Sequence, residues 1–531
     1  MADEDANPQV KRIKLSPAKP ALASLHRSIS PPLSLSSSPR IVRSPFQLTH
    51  IRDLASSAHN GDTVRLRDLL GDPMIRECWQ FNYLIDVDFL MQQFDEDVRG
   101  LVQVKVVHGS WKKEAPNRVA IDEACSRYPN VEPIVAYMPE AFGTHHSKMM
   151  ILLRHDDFAQ IIIHTANMIP GDWTNMCQAV WRSPLLPLQK QSEDSSPLTT
   201  TVLGNGSRFK RDLLAYLSEY GPRKTGSLVS QLRQYDFRAV RAALVASVPS
   251  KQKMTSLDSR KKTLWGWPAL EDVIRNVPTE GGEMKTPHIV CQMSSVASLG
   301  QTDKWLKEVF FHALCPTGER GKDHQKPNYS IIFPTADEIR RSLNGYASGG
   351  SIHMKIQTAA QQKQLQYLRP YLRHWAGDSS TSTSDTEMKL KKKRDAGRRR
   401  AAPHIKTYIR FTDDEMTKID WAMLTSANLS TQAWGATVNA HDEVRICSWE
   451  IGVVVWSQLF IDNNANNAER RSSAMIPTFQ QDLPDRITSD SVVVGLRIPY
   501  DLPLTSYERD EEPWCATTEY RERDWLGQTW M

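Results

Sequence analysis

One pattern of residues occurs twice in this 531-residue chain, and an internal repeat constrains a fold more than composition does. The pattern is H-x-K followed at a distance by A-N-[ML]-x4-W. Eighteen residues separate the Lys from the Asn in the first copy, and twenty-one separate them in the second. The first copy consists of His146, Lys148, Asn167 and Trp173, and the second consists of His404, Lys406, Asn428 and Trp434. The repeat predicts a chain built from two similar halves.

The spacing within each copy is typical of two adjacent strands. In a strand, residues i and i+2 point to the same face, so each H-x-K presents an imidazole beside an ammonium group. A gap of about twenty residues accommodates two strands and a turn, which returns the Asn to the same sheet edge. If the two halves face each other, their His, Lys and Asn side chains form a pocket suited to a tetrahedral phosphate.

Such a pocket predicts metal-free chemistry on a phosphodiester. One imidazole can attack phosphorus, and the other can protonate the leaving oxygen and then activate water. The two Lys residues can supply the positive charge that a metal ion provides in other enzymes. We therefore expect no metal and no other cofactor.

Two other histidines resemble the repeat but fall outside it. His145 is one residue out of frame, so its side chain should face away from Lys148. His353 and Lys355 form a third H-x-K after two glycines, but no A-N strand follows at the matching distance. We expect His145, His353 and Lys355 to be structural.

Charge and cysteine content limit the function classes. The net charge is +5, with +4 in residues 1–45 and +4 in residues 376–403, so the remainder is not basic. Seven scattered cysteines without a CxxC pair indicate a reducing compartment, and the absence of a long apolar run argues against a membrane span. The basic cluster Lys11, Arg12 and Lys14 is typical of a nuclear import signal.

The mixture of strand-like and helix-like segments predicts an α/β fold. Strands are expected at VQVKVVHG, MMILLR and QIIIHTA, and later at HIVCQMSS, YSIIFP, HIKTYIRF, DWAMLTSAN and EIGVVVW. A helix is expected from about Leu228 through RAALVAS. The predicted organisation is a disordered Ser/Pro-rich tail over 1–45, one domain over 46–250, and a second over 251–531 with a disordered insertion at about 376–403.

The strings GTHHSKMMILL, PHIKTYIR and TSANLSTQAWG, with YDLP near the end, resemble the phospholipase D superfamily. Within it they are most similar to the tyrosyl-DNA phosphodiesterase family of the 3′-end-processing type, over roughly Phe46 to the carboxyl terminus. Asn stands where lipid-cleaving members generally carry Asp. The resemblance implies two similar α/β domains related by a pseudo-twofold axis, with the active site at their interface.

The resemblance also implies roles for individual residues. His146 would be the nucleophile, and His404 the proton donor and acceptor. Phosphate oxygens would be bound by Lys148, Lys406, Asn167 and Asn428. The residues that orient the two histidines would be Gln178 and Glu450, and those that contact DNA or the substrate would be Phe142, Ser294, Ser295, Tyr83 and Trp514.

The implied function is a DNA-repair phosphodiesterase that acts through a covalent phosphohistidine. It would release a tyrosine, or another adduct, from a DNA 3′-phosphate. Its partners would be DNA 3′ ends, single- or double-stranded, and the peptide remnant of topoisomerase I. The protein would act as a monomer in the nucleus, away from membranes. Three alternatives remain open at this point: a lipid-cleaving phospholipase D, a non-catalytic nucleic-acid-binding protein of the same fold, and, within the same family, a general 3′-nucleosidase or nuclease.

Overall fold

The computed structural model describes residues 39–54, 57–189, 202–279, 286–316, 326–376, 393–461, 472–485 and 490–531. Residues 1–38 of the predicted tail, with its basic cluster, and residues 377–392 of the predicted insertion lie outside the described residues. The strands are β1 (Arg40–Val42), β2 (Phe46–Leu48), β3 (Ile75–Phe81), β4 (Gln103–His108), β5 (Val131–Val135), β6 (Met149–Arg154), β7 (Phe158–His164), β8 (Met176–Cys177), β9 (Ala179–Arg182), β10 (Leu186–Pro187), β11 (Ala243–Ser247), β12 (Ser250–Lys253), β13 (His288–Gln292), β14 (Ser295–Val296), β15 (Asn328–Ile332), β16 (His353–Met354), β17 (Leu372–Arg373), β18 (Ala402–Pro403), β19 (Thr407–Phe411), β20 (Ile419–Thr425), β21 (Glu443–Ile446), β22 (Glu450–Val455), β23 (Ser473–Thr478) and β24 (Val492–Arg497).

Most helices are short. The α-helices are α1 (Leu66–Leu70), α2 (Val87–Met91), α3 (Pro116–Ser126), α4 (Pro170–Thr174), α5 (Gly206–Ser218), α6 (Pro222–Leu232), α7 (Gly266–Asn276), α8 (His312–Leu314), α9 (Ala336–Arg340), α10 (Ala359–Leu368) and α11 (Thr431–Trp434). Single turns of 3-10 helix lie at Ser57–Asn60, Met254–Ser256, Gly345–Ser351, Arg369–Tyr371 and Ser457–Phe460, and a π-helical turn at Leu306–Phe311 leads into α8. In the described part of the chain, no helix is long and apolar enough to cross a membrane.

Two large sheets share one six-strand topology. The first sheet contains the order β9-β7-β6-β3-β4-β5, and the second contains β22-β20-β19-β13-β15-β17. Neighbouring strands pair in the same directions in both sheets. In the order given, the first three pairs are antiparallel and the last two are parallel. The prediction of two similar α/β halves is therefore confirmed.

The first sheet is buried on both faces. In β6, Met149, Ile151 and Leu153 pack into a core that extends through the second half of the molecule. Met150 and Leu152 point the other way, into a separate core under α1, α2 and α3. This alternation follows from the period of two in a strand, and it explains why the sheet strands are continuous apolar runs.

The boundaries of the predicted halves differ from those observed. β1 lies inside the predicted tail, yet it pairs in parallel with β24 of the second sheet. The segment Ala243–Ser247, expected to be helical, is strand β11, and it pairs with β22, also in the second sheet. The helix before it, α6, ends at Leu232. All five residues of β11 are buried, so an apolar strand with covered faces resembled a buried helix in sequence.

The last part of the predicted insertion is ordered and buried. Asp501 accepts a hydrogen bond from the backbone N–H of Ala396 (2.9 Å) and another from Nε of Arg399 (2.8 Å). Arg398 is buried, and β18 pairs with β8 of the first half. Residues 393–403 are basic but not disordered, because their charges and amides are bound by the folded chain.

The first strand should contribute measurably to stability. A chain that begins at Phe46 lacks β1 and also the hydroxyl of Ser44, which accepts a hydrogen bond from the backbone N–H of Arg497 (2.9 Å). We expect it to melt at a temperature several degrees lower than a chain that begins at Pro39, because about four hydrogen bonds worth ~0.5–1.5 kcal/mol each are lost. Calorimetry of the two chains checks this, and equal melting temperatures would contradict it.

Candidate active site

The two copies of the repeat meet at one cavity of about 380 Å³. In each half, H-x-K comes immediately before a strand, β6 or β19, and the Asn comes three residues after the antiparallel neighbour, β7 or β20. The start of one strand and the end of its antiparallel neighbour lie at the same sheet edge, so the expected return of the Asn is confirmed. The tripeptides themselves lie just outside the strands. Five of the eight predicted catalytic residues line the cavity: His146, Asn167, His404, Asn428 and Glu450.

His146 is oriented by a carboxylate from the other half of the molecule. Its Nδ1 lies 3.0 Å from Oε2 of Glu450, the first residue of β22. The same oxygen accepts a hydrogen bond from the hydroxyl of Ser426. Because an ionised carboxylate can only accept, Nδ1 carries the proton and Nε2 keeps a lone pair. Burial lowers the pKa of His146, and the nearby Glu450 only partly offsets this.

His404 has two partners in the first half, of which sequence reasoning found one. Its Nδ1 lies 2.9 Å from Nε2 of Gln178, the predicted partner, and 3.1 Å from Oδ2 of Asp172. The hydroxyl of Thr165 donates to Oε1 of Gln178 (2.8 Å), and Nε2 of Gln178 is 3.3 Å from the Asp172 oxygen. Nε2 of Gln178 thus donates to Asp172, while its Oε1, 3.3 Å from Nδ1 of His404, can share the Nδ1 proton with Asp172.

The protonation state of His404 follows from Asp172. Burial acts to raise the pKa of this carboxyl, but His404, the backbone N–H of Asn167 and the charge of Lys406 lower it below its ordinary value. An ionised Asp172 accepts the Nδ1 proton of His404, which leaves the lone pair of Nε2 available. Burial, together with Lys406, lowers the pKa of His404 to about 3, so the ring is neutral in the unliganded protein.

Lys148 and Lys406 are fully buried beside the cavity. Each Nζ donates to the main-chain carbonyl of the histidine two residues earlier, at 3.4 Å for Lys148. Burial lowers the pKa of Lys148 to about 8, and burial with the charge of Lys148 lowers that of Lys406 well below its ordinary value. Two desolvated ammonium groups so placed favour an anion bound between them.

The tryptophan of each repeat holds the asparagine of the same repeat. The indole N–H of Trp173 donates to the main-chain carbonyl of Asn167 at 3.0 Å, and Trp434 does the same to Asn428 at 3.0 Å. Both indoles are buried. The six-residue spacing in the sequence is thus the spacing of a hydrogen bond that fixes the backbone of a residue predicted to bind phosphate.

The two predicted DNA-binding serines have different environments. The backbone N–H and hydroxyl of Ser294 both donate to Oδ1 of Asn428, at 3.2 Å and 3.3 Å, and Ser294 is buried. These two bonds orient the Asn428 amide and engage the hydroxyl for which a contact with DNA phosphate was predicted. Ser295 lines the cavity, with its hydroxyl 3.0 Å from the carbonyl of His353.

Of the three predicted aromatic contacts, two lie at the cavity and one does not. Phe142 lines the cavity with 85% of its surface exposed. Tyr83 also lines it, with its ring 5.5 Å from that of His146. Trp514 is fully buried, donates to the carbonyl of Gly349 at 2.9 Å and packs against other aromatic rings. It is a core residue rather than a substrate contact.

The two histidines predicted to be structural also differ from each other. His145 is buried and bonds to the carbonyl of Asn82 and the hydroxyl of Tyr220, both at 3.0 Å, as expected of a structural residue. His353 lines the cavity with an exposed ring, so the expectation was wrong for it. Its strand β16 pairs with β14, which places it at the cavity without an A-N strand of its own.

Sequence reasoning missed Asp172, Thr165, Ser426 and His353. Thr165 and Ser426 occupy the same position of T-A-N and S-A-N in the two copies, so the repeat itself contained a signal for them. The repeat contained no signal for Asp172, because the residue at the same position of the second copy is Ala433. In the parts of the chain that the structure describes, no group of three His, Cys, Asp or Glu residues could hold a metal ion.

Comparisons with known proteins agree with this site. The sequence profile of the tyrosyl-DNA phosphodiesterase family matches residues 45–508. A probable tyrosyl-DNA phosphodiesterase of Schizosaccharomyces pombe is 30% identical over 92% of this chain and 96% of its own length. Tyrosyl-DNA phosphodiesterase 1 of Arabidopsis thaliana is 28% identical over 92% of this chain and 76% of its own length.

A solved structure shows the same fold. The crystal structure of the yeast tyrosyl-DNA phosphodiesterase matches with a TM-score of 0.60 and 21% identity, over 90% of this chain and 100% of that chain. The family match and the paired His, Lys and Asn residues define a phosphodiester hydrolase. More particularly, the chain belongs to the tyrosyl-DNA phosphodiesterase family.

The pKa of Lys148 predicts how anion binding depends on pH. Below about pH 8 Lys148 is protonated and attracts a phosphodiester, and above it the charge is lost. We expect the Kd of a short DNA oligonucleotide to rise up to about tenfold per pH unit beyond this point. Fluorescence anisotropy measures the profile. Lys148→Arg, which stays charged, should remove the break, and an unaltered break in that variant would assign it to another group.

Asp172 should act through His404. In Asp172→Asn the Nδ1 proton of His404 loses its carboxylate counter-ion, so we expect kcat to fall by about 10²-fold for a phosphodiester with an alkoxide leaving group. A nitrophenolate leaving group needs no proton, so its release in the first turnover should change little. Equal losses for both leaving groups would indicate a purely structural role, and restored activity in Asp172→Glu would support the carboxylate.

Proposed function

We propose that this protein hydrolyses the bond between a DNA 3′-phosphate and a tyrosine, or another 3′ adduct, through a covalent phosphohistidine and without a metal ion. The observation that carries the proposal is the pair of imidazoles, each with its Nδ1 proton held by a carboxylate from the opposite half, beside two buried lysines. The names of the relatives support it, since the three described above are tyrosyl-DNA phosphodiesterases.

In the first step, Nε2 of His146 attacks phosphorus and the bond to the tyrosine oxygen breaks. His404, protonated in the complex, transfers its Nε2 proton to that oxygen, and tyrosine leaves. The negative charge of the bound phosphodiester opposes the charge of Lys406 and favours the imidazolium, with Asp172 as its counter-ion. The product of this step is DNA joined through its 3′-phosphate to His146.

In the second step, His404 acts as the base. Its neutral Nε2 takes a proton from a water molecule, the water oxygen attacks phosphorus, and the bond to His146 breaks. The products are a DNA 3′-phosphate and a regenerated enzyme. Lys148, Lys406, Asn167 and Asn428 would stabilise the phosphoryl oxygens in both steps, which is the role that a metal ion would otherwise have.

We also propose a natural substrate, a cellular location and an oligomeric state. The natural substrate would be a DNA 3′ end, single- or double-stranded, that carries a peptide remnant of topoisomerase I, and repair of such ends would take place in the nucleus. The basic cluster of Lys11, Arg12 and Lys14 supports nuclear import. We also propose a monomer, because both half-sites come from one chain.

The test uses a single-stranded oligonucleotide with a 3′-phosphotyrosine, incubated with the full-length protein in excess EDTA. We expect release of tyrosine and a 3′-phosphate. His146→Ala should abolish both the release and the adduct. His404→Ala should hydrolyse the phosphohistidine about 10²–10⁴-fold more slowly, so a protein–DNA adduct should accumulate on denaturing gels.

His155→Ala is the matched control, because this exposed histidine lies beyond the opposite end of β6. Adduct accumulation in His146→Ala instead would reverse the two roles. Loss of activity in EDTA that returns with a divalent metal would contradict the metal-free step. Cleavage of phosphatidylcholine but not of the oligonucleotide would favour the lipid alternative.

A further inference from the structure

A second groove runs along the edge of the first sheet. Its volume is about 530 Å³, and we call it the Trp111 groove. It is lined by Trp111, Tyr137, Arg223 and Lys224, and by residues of β5, the last strand of the sheet. Trp111 is 56% exposed and Tyr137 is 64% exposed. Two large aromatic rings that face solvent in one groove mark a binding surface.

Two cations, Arg223 and Lys224, line the same groove. Arg223 and Lys224 lie in the first turn of α6, where a positive charge opposes the helix dipole. Within the described ranges, no carboxylate forms a salt bridge with either of them. Lys112 lies over the Trp111 ring, at 5.4 Å from its centroid. Glu132, the acidic residue of the groove, is paired with Lys105. The surface is therefore aromatic and electropositive.

One chain segment connects the groove with the active-site cavity. The segment of residues 136–142 begins at its wall and ends at Phe142, which lines the active-site cavity. One tryptophan links the two sites: the indole N–H of Trp449 donates to the carbonyl of Tyr137, and the carbonyl of Trp449 accepts from the backbone N–H of His146, both at 3.0 Å. Exposed aromatic rings thus follow one another from Phe142 to Tyr137 and Trp111.

A peptide strand would fit this edge less well than a nucleic acid. β5 is an edge strand, but Pro133 at its centre has no N–H to donate to an added strand. Exposed aromatic rings interleaved with cations are instead the arrangement that binds single-stranded nucleic acids, with bases on the rings and phosphates at the cations.

We propose that the Trp111 groove binds the single strand that leaves the active-site cavity past Phe142. Bases stack on Tyr137 and Trp111, and phosphates face Arg223 and Lys224. The inference rests on the proposed function, because it extends the same DNA strand away from its 3′ end. We therefore expect a dependence on substrate length, because only a strand long enough to reach the Trp111 groove can bind there.

The test compares 3′-phosphotyrosine oligonucleotides of about four and about sixteen nucleotides, the range of known single-strand sites. In the variant that combines Trp111→Ala and Tyr137→Ala, we expect kcat/KM for the long substrate to fall at least about fivefold, and that for the short one to stay unchanged. Combined Arg223→Ala and Lys224→Ala should flatten the salt dependence for the long substrate only. The matched control is Trp525→Ala, since Trp525 is 52% exposed and lines neither cavity.

Equal kcat/KM values for variant and unaltered protein at both lengths would overturn the groove and leave the proposed function intact. A loss that depends on the length of the attached peptide would overturn it too, in favour of a peptide site. If the unaltered protein releases no tyrosine from either substrate, the proposed function fails instead. Anisotropy with the fluorescent long oligonucleotide then decides the groove: weaker binding by the aromatic variant supports it, and equal binding overturns it.

Discussion

The site depends on one constraint: each histidine is oriented by the half of the molecule to which it does not belong. Glu450, in the second half, holds Nδ1 of His146, while Asp172 and Gln178, in the first half, hold Nδ1 of His404. Neither half alone can set the tautomer of its own imidazole. The shared core and the crossing pairs β11–β22 and β18–β8 are therefore part of the chemistry, since they fix the halves within hydrogen-bond distance.

The buried lysines impose a second constraint, because their charges disfavour the unliganded state. Burial lowers the pKa of both Lys148 and Lys406, and the charge of one further lowers that of the other. Asp172 and Glu450 oppose this, but both carboxylates are already engaged with the histidines. A phosphodiester bound beside these ammonium groups would supply negative charge, so in the proposed mechanism its binding favours the protonated form of His404.

The sequence was sufficient to predict the features that occur in both copies of the repeat. The strands around each H-x-K, the return of the Asn and the six central residues all follow from local spacing. What it could not predict depends on contacts between distant segments. Asp172 has no counterpart, since Ala433 stands there, and Trp514 is buried because its indole packs over Gly349, where a Cβ would approach to 2.2 Å. β11 was mistaken for a helix because its partner, β22, lies some two hundred residues away.

The two halves of the site are alike in the residues predicted to bind phosphate and unlike in the residues that orient the histidines. The residues predicted to bind a tetrahedral phosphate are the same in both halves. Each half has one Lys and one Asn, and an indole N–H donates to the carbonyl of each Asn. The elements behind the histidines are not matched. His146 has one carboxylate supported by a hydroxyl, whereas His404 has an amide and a carboxylate that share its Nδ1. A phosphate has no intrinsic preference between two identical imidazoles, so only such differences can make one of them the nucleophile and the other the acid.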